Sequence, residues 1–253
     1  MSRLTRLLRA EGFIATDRDT GSLLTAFAKA GVFRLVGTRV GTSAFALYQG
    51  ELGIQLAMDD LAQTGDIDFE SFERLSVALG DRVEKEPGEI LQSLKFDPVP
   101  AIQGHEVWKR HQSRGKALVE FLTPAFGDEE VKPLPALWVS ALGLNYLNFL
   151  IADPIPAIAL YRSGVLVQIP LPERFAIHKL IVADRRLGGP DHLKTRKDRD
   201  QAAFLIEVLA QDRPDELRKA HQDAMMRGPP WKTRIEASLA RMQETKAVFG
   251  DLK

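Results

Sequence analysis

The chain has 253 residues, 45% hydrophobic and 27% charged, the make-up of a soluble globular protein with one large domain or two modest ones. It has no cysteine, which excludes disulfides, thiolate catalysis and cysteine-ligated zinc or iron–sulfur centres, and is compatible with a reducing cytoplasm. The 34 basic and 34 acidic side chains cancel, but unevenly: residues 1–172 hold 17 Lys/Arg against 21 Asp/Glu, and residues 173–253 hold 17 against 13.

In chain order, Leu4, Leu7 and Leu8 share a helical face, and Ser22 to Ala30 has helical spacing after Thr20-Gly21. The Met1–Leu7 opening is basic and amphipathic and lacks the apolar centre of a signal peptide. Phe33–Val40 reads as a strand, and Gly41-Thr42 opens a helix over Ser43–Gly50. A strand is expected around Ile67, and Phe72–Leu79 reads as the start of another helix. The stretch from Phe96 to Lys109 is too irregular to assign.

Ala117–Leu122 is a clear strand, stopped by Thr123-Pro124. Asn145–Ile151, Ala157–Tyr161 and Val165–Ile169 read as short strands. Asp153, Pro154 and Pro156 interrupt the most apolar stretch, so no membrane span is expected. After Pro170 and Pro172 the pattern turns helical, over Phe175–Arg186, Thr195–Gln211, Pro214–Met226 and Trp231–Val248. The expected architecture is α/β (α+β): a mixed sheet flanked by helices over residues 1–172, then a helical domain over 173–253.

Chemistry concentrates at a few positions. In Gly65-Asp66-Ile67-Asp68-Phe69, strand alternation puts Asp66 and Asp68 on one side, their Cα atoms roughly 6 to 7 Å apart, able to grip a divalent metal. In Val40-Gly41-Thr42-Ser43, a glycine between strand and helix lets the backbone approach a phosphate, with Thr42 or Ser43 adding a hydroxyl. Neither a Walker loop nor a dinucleotide fingerprint is present. Glu120 interrupts the apolar run Leu118–Leu122, as a third metal ligand or as an acid at an exposed strand edge. Three carboxylates around two Mg²⁺ ions would suit in-line nucleotidyl transfer. From Arg185 to Arg199 six basic residues face only Asp191 and Asp198, either as a phosphate-binding patch or as a solvated helix face.

These residues resemble a nucleotidyltransferase of the DNA-polymerase-β superfamily, and more narrowly the bacterial NTP-transferase-fold proteins related to the AbiEii toxin group. The likeness runs from about Leu8 to Leu209. It rests on Leu35-Val36-Gly37, Val40–Phe45 with Tyr48, Thr64–Phe69, Val119–Pro124, Pro170–Phe175 leading to His178-Lys179-Leu180, and Lys197-Asp198 with Gln201-Ala202. The resemblance implies phosphate contacts from Gly41, Thr42 and Ser43, with Gly37-Thr38 a rival. It implies metal ligation by Asp66, Asp68 and Glu120, and triphosphate contacts from Lys179 and Lys197. Two Mg²⁺ ions and an NTP, ATP among the candidates, are the expected cofactor and substrate. The expected acceptor is a hydroxyl, of RNA and particularly a tRNA end, with protein hydroxyls and small molecules also open, and a cognate antitoxin or other partner protein is a further expectation. Two departures stand out: aspartate is usual where Glu120 stands, and the N-terminal part is shorter than in many relatives. The alternatives are a catalytically weak nucleotide- or RNA-binding module, or an interaction component of a toxin–antitoxin or defence pair.

His105 and His111, six residues apart, share no helix face and are not expected to form a zinc pair. His178 reads as a packing residue or a phosphate contact. Asp198 reads either as orienting Lys197 or, in the favoured structural role, as pairing with Arg199 or with Asp200's neighbours on the helix.

Overall fold

The computed structural model describes residues 2–35, 37–56, 73–78, 87–99, 109–112, 117–134, 139–189, 192 and 194–252. The described residues up to Pro170 form one compact unit and those from Leu171 onward a second. The first is a mixed α/β region, a sheet with flanking helices; the second is all-helical.

The first unit opens with α1 (Arg3–Ala10) and α2 (Arg18–Lys29). Both helices start at a side-chain cap. Ser2 accepts from the Thr5 N–H, and Asp17 Oδ1 accepts from the N–H groups of Asp19 and Thr20. Within α2, Gly21 lies directly under the Tyr161 ring. A Cβ at that position would come within 2.3 Å of the ring. Ser22 and the Tyr161 hydroxyl are 3.0 Å apart across the same contact.

The expected strand over Phe33–Val40 is shorter than its composition suggests. Val32–Leu35 forms a helical turn, α3, closed by the Gly37 N–H on the Val32 carbonyl, and strand β1 is Thr38–Val40. The helix after Gly41 is likewise split, into α4 (Thr42–Phe45) and α5 (Tyr48–Leu52). Tyr48 is fully buried and donates its hydroxyl to the Pro170 carbonyl at 2.9 Å, tying α5 to the end of the unit.

Segment Glu73–Ala78 is strand β2, not the helix expected over Phe72–Leu79. The period-two alternation from Arg74 to Leu79 competes with the helical spacing of Phe72 and Leu79, and pairing with β1 and β5 decides for the strand. Helix α6 (Pro87–Ser93) and strands β3 (Phe96–Pro98) and β4 (Lys109–Gln112) follow. The sheet then continues with β5 (Ala117–Pro124), β6 (Val131–Leu134) and β7 (Val139–Leu144). Strand β5 runs through Thr123-Pro124 rather than stopping before it. Pro124 takes its place in the ladder opposite Leu144 of β7, where β5 pairs in parallel.

The order across the sheet is β1-β2-β5-β4-β3, with β7 beside the far end of β5 and β6 beside β7. Strand β5 is therefore central, with β2 on one side and β4 then β7 on the other. Val119 and Phe121 on one of its faces and Glu120 and Leu122 on the other are all buried, as expected for a strand covered on both faces.

Residues 145–151 do not form the expected strand. Tyr146 takes a left-handed conformation at φ 70, ends the extended backbone and starts the helical turn α7 (Leu147–Leu150). A two-stranded hairpin, β8 (Ile155–Ala159) and β9 (Val165–Ile169), completes the unit.

The second unit consists of α8 (Pro172–Arg186), α9 (Lys194–Asp212), α10 (Pro214–Met226), α11 (Pro229–Leu239) and α12 (Gln243–Asp251). The single helix expected over Trp231–Val248 is two. Tight turns from Arg241 to Ser238 and from Met242 to Leu239 close α11 before α12 begins. Leu205, Ile206 and Leu209 of α9 and Ile177, Leu180 and Ile181 of α8 are fully buried, and Leu217 and Ile235 complete the core from α10 and α11. No helix among the described residues is long and apolar enough to cross a membrane.

Candidate functional site

In the sheet unit the site is built by one strand end and one register row. Strand β1 ends at Val40, and Gly41 turns the chain into α4 with φ 72 and ψ −164, a conformation that strains any residue bearing a Cβ. The Gly41 carbonyl accepts from the N–H groups of Ala44 and Phe45. No side chain caps this turn. The Ser43 hydroxyl instead donates back to the Val40 carbonyl at 3.2 Å, which stiffens the turn. The rival Gly37 lies at the opposite end of β1. A Cβ there would meet the Val32 side chain at 2.5 Å, so Gly37 answers a packing need against α3.

Val40 stands opposite Ser76 of β2, and Ser76 opposite Glu120 of β5. Glu120 is thus two inter-strand steps, about 10 Å, from the residue that precedes Gly41. It is 8% exposed and lies in the middle strand, so the reading of an acid at an exposed strand edge is wrong. Which strands flank β5 is a matter of chain topology and is not written in the local pattern. On its other side Glu120 is in register with Lys109 of β4. Asp66 and Asp68 lie outside the described residues.

The basic residues expected at the triphosphate belong to the helical unit, where packing gives them a different setting. Lys179 on α8 is buried, and its Nζ lies 2.5 Å from Asp198 Oδ1 on α9. The other carboxylate oxygen of Asp198 accepts from the Arg186 guanidinium. Asp198 thus joins two cations of the neighbouring helix, rather than orienting Lys197 or pairing with Arg199. The Lys179 ammonium also stands over the Phe175 ring, 5.3 Å from its centre. Burial pulls the Lys179 pKa below its ordinary value, opposed by the charge and hydrogen bond of Asp198. Burial also lowers Lys197, and the nearby Lys179 charge adds to the effect. The two lysines are therefore electrostatic neighbours.

His178 keeps part of its surface accessible but sits so deep among protein atoms that burial brings its pKa down to about 3, with Lys179 adding to the effect. It is neutral at physiological pH, which removes it as a cationic phosphate contact. The basic patch from Arg185 to Arg199 is partly neutralised from within, because Asp198 engages Arg186. At its surface Arg196 and Asp200 form an exposed pair at 3.7 Å. Trp231 is a local packing residue with the Arg227 guanidinium over its ring.

Polar residues on the inner faces of the helices also shape this unit. Thr195, Asp198 and Gln201 recur every third residue on the buried face of α9, a polar run at the head of the apolar stripe Ala202, Leu205, Leu209. The Gln201 amide and the Thr195 hydroxyl are buried and find no hydrogen-bond partner among the described residues. The available signal was an acid on the apolar side of a helix. On α8, Asp184 binds Arg234 and Arg241 from beyond the α9–α10 pair.

A family model described as nucleotidyltransferase matches residues 18–226. The chain belongs to the nucleotidyltransferase family. No curated protein and no solved structure matches it. A nucleotidyltransferase of this kind implies a divalent cation. Among the described residues no group of three His, Asp or Glu side chains could hold one. The donor chemistry nonetheless fits: Glu120 is a buried carboxylate, and oxygen donors are what a hard cation such as Mg²⁺ takes.

Proposed function

We propose that the protein transfers a nucleoside monophosphate from an NTP to an acceptor hydroxyl with Mg²⁺. The observation that carries this reading is the family match over residues 18–226. It is supported by a central-strand carboxylate, Glu120, in register with the strand that delivers Gly41. In this reading Asp66, Asp68 and Glu120 would hold two Mg²⁺ ions, whose chemistry would be to lower the pKa of the attacking hydroxyl and to stabilise the departing pyrophosphate. Gly41 brings backbone N–H groups close to phosphate oxygens without a Cβ in the way, and Thr42 adds a hydroxyl. Ser43 holds the turn through its bond to Val40. Lys197 and Lys179 supply positive charge, with Asp198 fixing the position of Lys179.

The acceptor we favour is RNA, in particular a tRNA end, because the basic residues between Arg185 and Arg199 suit a phosphate backbone. A cytoplasmic setting and a toxin role follow from the same reading, the latter through the resemblance to the AbiEii group. The direct experiment incubates the protein with each radiolabelled NTP, Mg²⁺ and total RNA or lysate, beside Asp66→Ala/Asp68→Ala. Label transfer lost in the variant supports the enzyme and identifies the acceptor class.

One observation favours a second reading, a catalytically weak nucleotide- or RNA-binding module. Lys179 is buried and already bound to Asp198. Tight NTP binding without transfer to any acceptor would select that reading.

A further inference from the structure

Two exposed surfaces of the sheet unit each carry an uncovered apolar group and are complementary in charge. Helix α1 is packed against its own polarity. Thr5 is its buried residue, while Leu4 and Leu7 are 72% and 49% exposed. Arg3 and Arg6 flank these leucines and are exposed, as is Arg9 further along. Glu11, just past the helix, is the nearest acid in sequence. The Ser2 N–H donates to the Arg162 carbonyl in the turn of the β8–β9 hairpin, which anchors α1 in this outward-facing pose. The second strand pair from that turn, Ile158 and Leu166, is also exposed. The leucine face is a built surface, since the helix start is both capped and tied to the hairpin turn while Leu4 and Leu7 stay exposed.

The second surface is the loop between β5 and β6. Phe126 is 85% exposed, and Asp128 and Glu130 beside it are exposed too. The loop is held rigidly. The Asn145 side chain donates to the Gly127 carbonyl, the Asn145 N–H donates to Glu129, and the Gly143 N–H donates to the Glu130 carbonyl. Lys132 is the nearest base in sequence. The loop backbone that carries Phe126 is ordered before any partner arrives, which reduces the cost of binding, and aromatic anchors dominate interface energetics.

We propose that the protein self-associates head to tail, with the Phe126–Glu130 loop of one copy seated on the α1 face of the next. Phe126 packs against Leu4 and Leu7 while Asp128 and Glu130 meet Arg3 and Arg6. A lipid surface would take the leucines and arginines but leave the acidic aromatic loop without a role. A second copy accounts for both. Each surface is exposed within its own chain, so neither covers the other there. Two different patches in contact make a heterologous interface, which closes into a ring or continues as a filament.

The test is the mass of the full-length protein in solution across low to high micromolar concentration, by sedimentation velocity. Association that rises with concentration is expected. Phe126→Ser abolishes it. The charge reversals Arg3→Glu/Arg6→Glu and Asp128→Lys/Glu130→Lys each weaken it by more than about tenfold, because like charges then face each other. Mixing the two reversed proteins restores assembly, since each then offers the surface the other needs. That rescue also shows that both variants are folded. A wild-type protein that stays monomeric throughout, or one whose association is unmoved by the reversals, overturns the proposal.

Discussion

The two units bring charge into their interiors by different routes. In the sheet unit, Glu120 is carried into the interior by strand register, and its position follows from β5 being central. In the helical unit, Lys179, Asp198 and Arg186 come together because two helices pack, and each charge is met by another. A carboxylate placed by strand register can be exchanged for its isosteric amide with its shape kept. A carboxylate that bridges two cations is different. Removing it leaves a buried ammonium without its counter-charge.

The sharpest way to break this comparison is at Asp198. Asp198→Ala should cost about 3–5 kcal/mol in urea unfolding, because Lys179 is buried with Asp198 as its close acid. If the loss is under about 1 kcal/mol, the bridge is not what holds α8 to α9.

The matching substitution in the sheet unit is Glu120→Gln. It should leave unfolding nearly unchanged and keep NTP affinity, while turnover falls on the order of a hundredfold. Full turnover in this variant would remove Glu120 from the chemistry.

A third prediction concerns pH. The folded-state pKa of His178 is about 3, against 6.5 for the free side chain, so between those values the unfolded chain binds a proton that the folded one refuses. Stability therefore falls as the pH drops from about 6.5 toward 3, by up to about 1.4 kcal/mol per pH unit for one such group. Asp223 adds to acid loss, because its bonds to Arg227 and Arg174 hold its pKa below the usual range. His178→Gln should remove the histidine's share of the slope, read as the difference between the two proteins' stability curves. Parallel curves would mean that His178 titrates equally well in both states.

The smallest effect is expected at Arg196, whose partner Asp200 is also exposed. Arg196→Ala should shift thermal unfolding by no more than about 0.5 kcal/mol. A larger loss would mean that the surface of α9 is held as tightly as its buried face.

Much of the helical unit was legible because its signals are local. Proline starts and glycine–proline breaks bound the helices, and the Pro214–Met226 bounds agree with α10. Strand β5 was legible from its apolar run, interrupted at Glu120. Strand β2 was not, because a six-residue segment fits two periods and only its neighbours in the sheet decide between them. The same limit applies to the candidate site. Gly41 advertises itself by lying between a strand and a helix. That Glu120 is central rather than at an edge depends on strand order, which no short window contains. That Asp198 joins Lys179 depends on two helices meeting 19 residues apart in sequence.

The contact of Gly21 with the Tyr161 ring constrains how this chain can vary. Alanine is ordinarily the most welcome replacement for a glycine inside a helix. Here even a methyl group would drive the aromatic ring out of its seat. In a library sampling every position of α2, Gly21 should be among the least replaceable, and a chain that lost it would need a smaller residue at 161 before it could drift further.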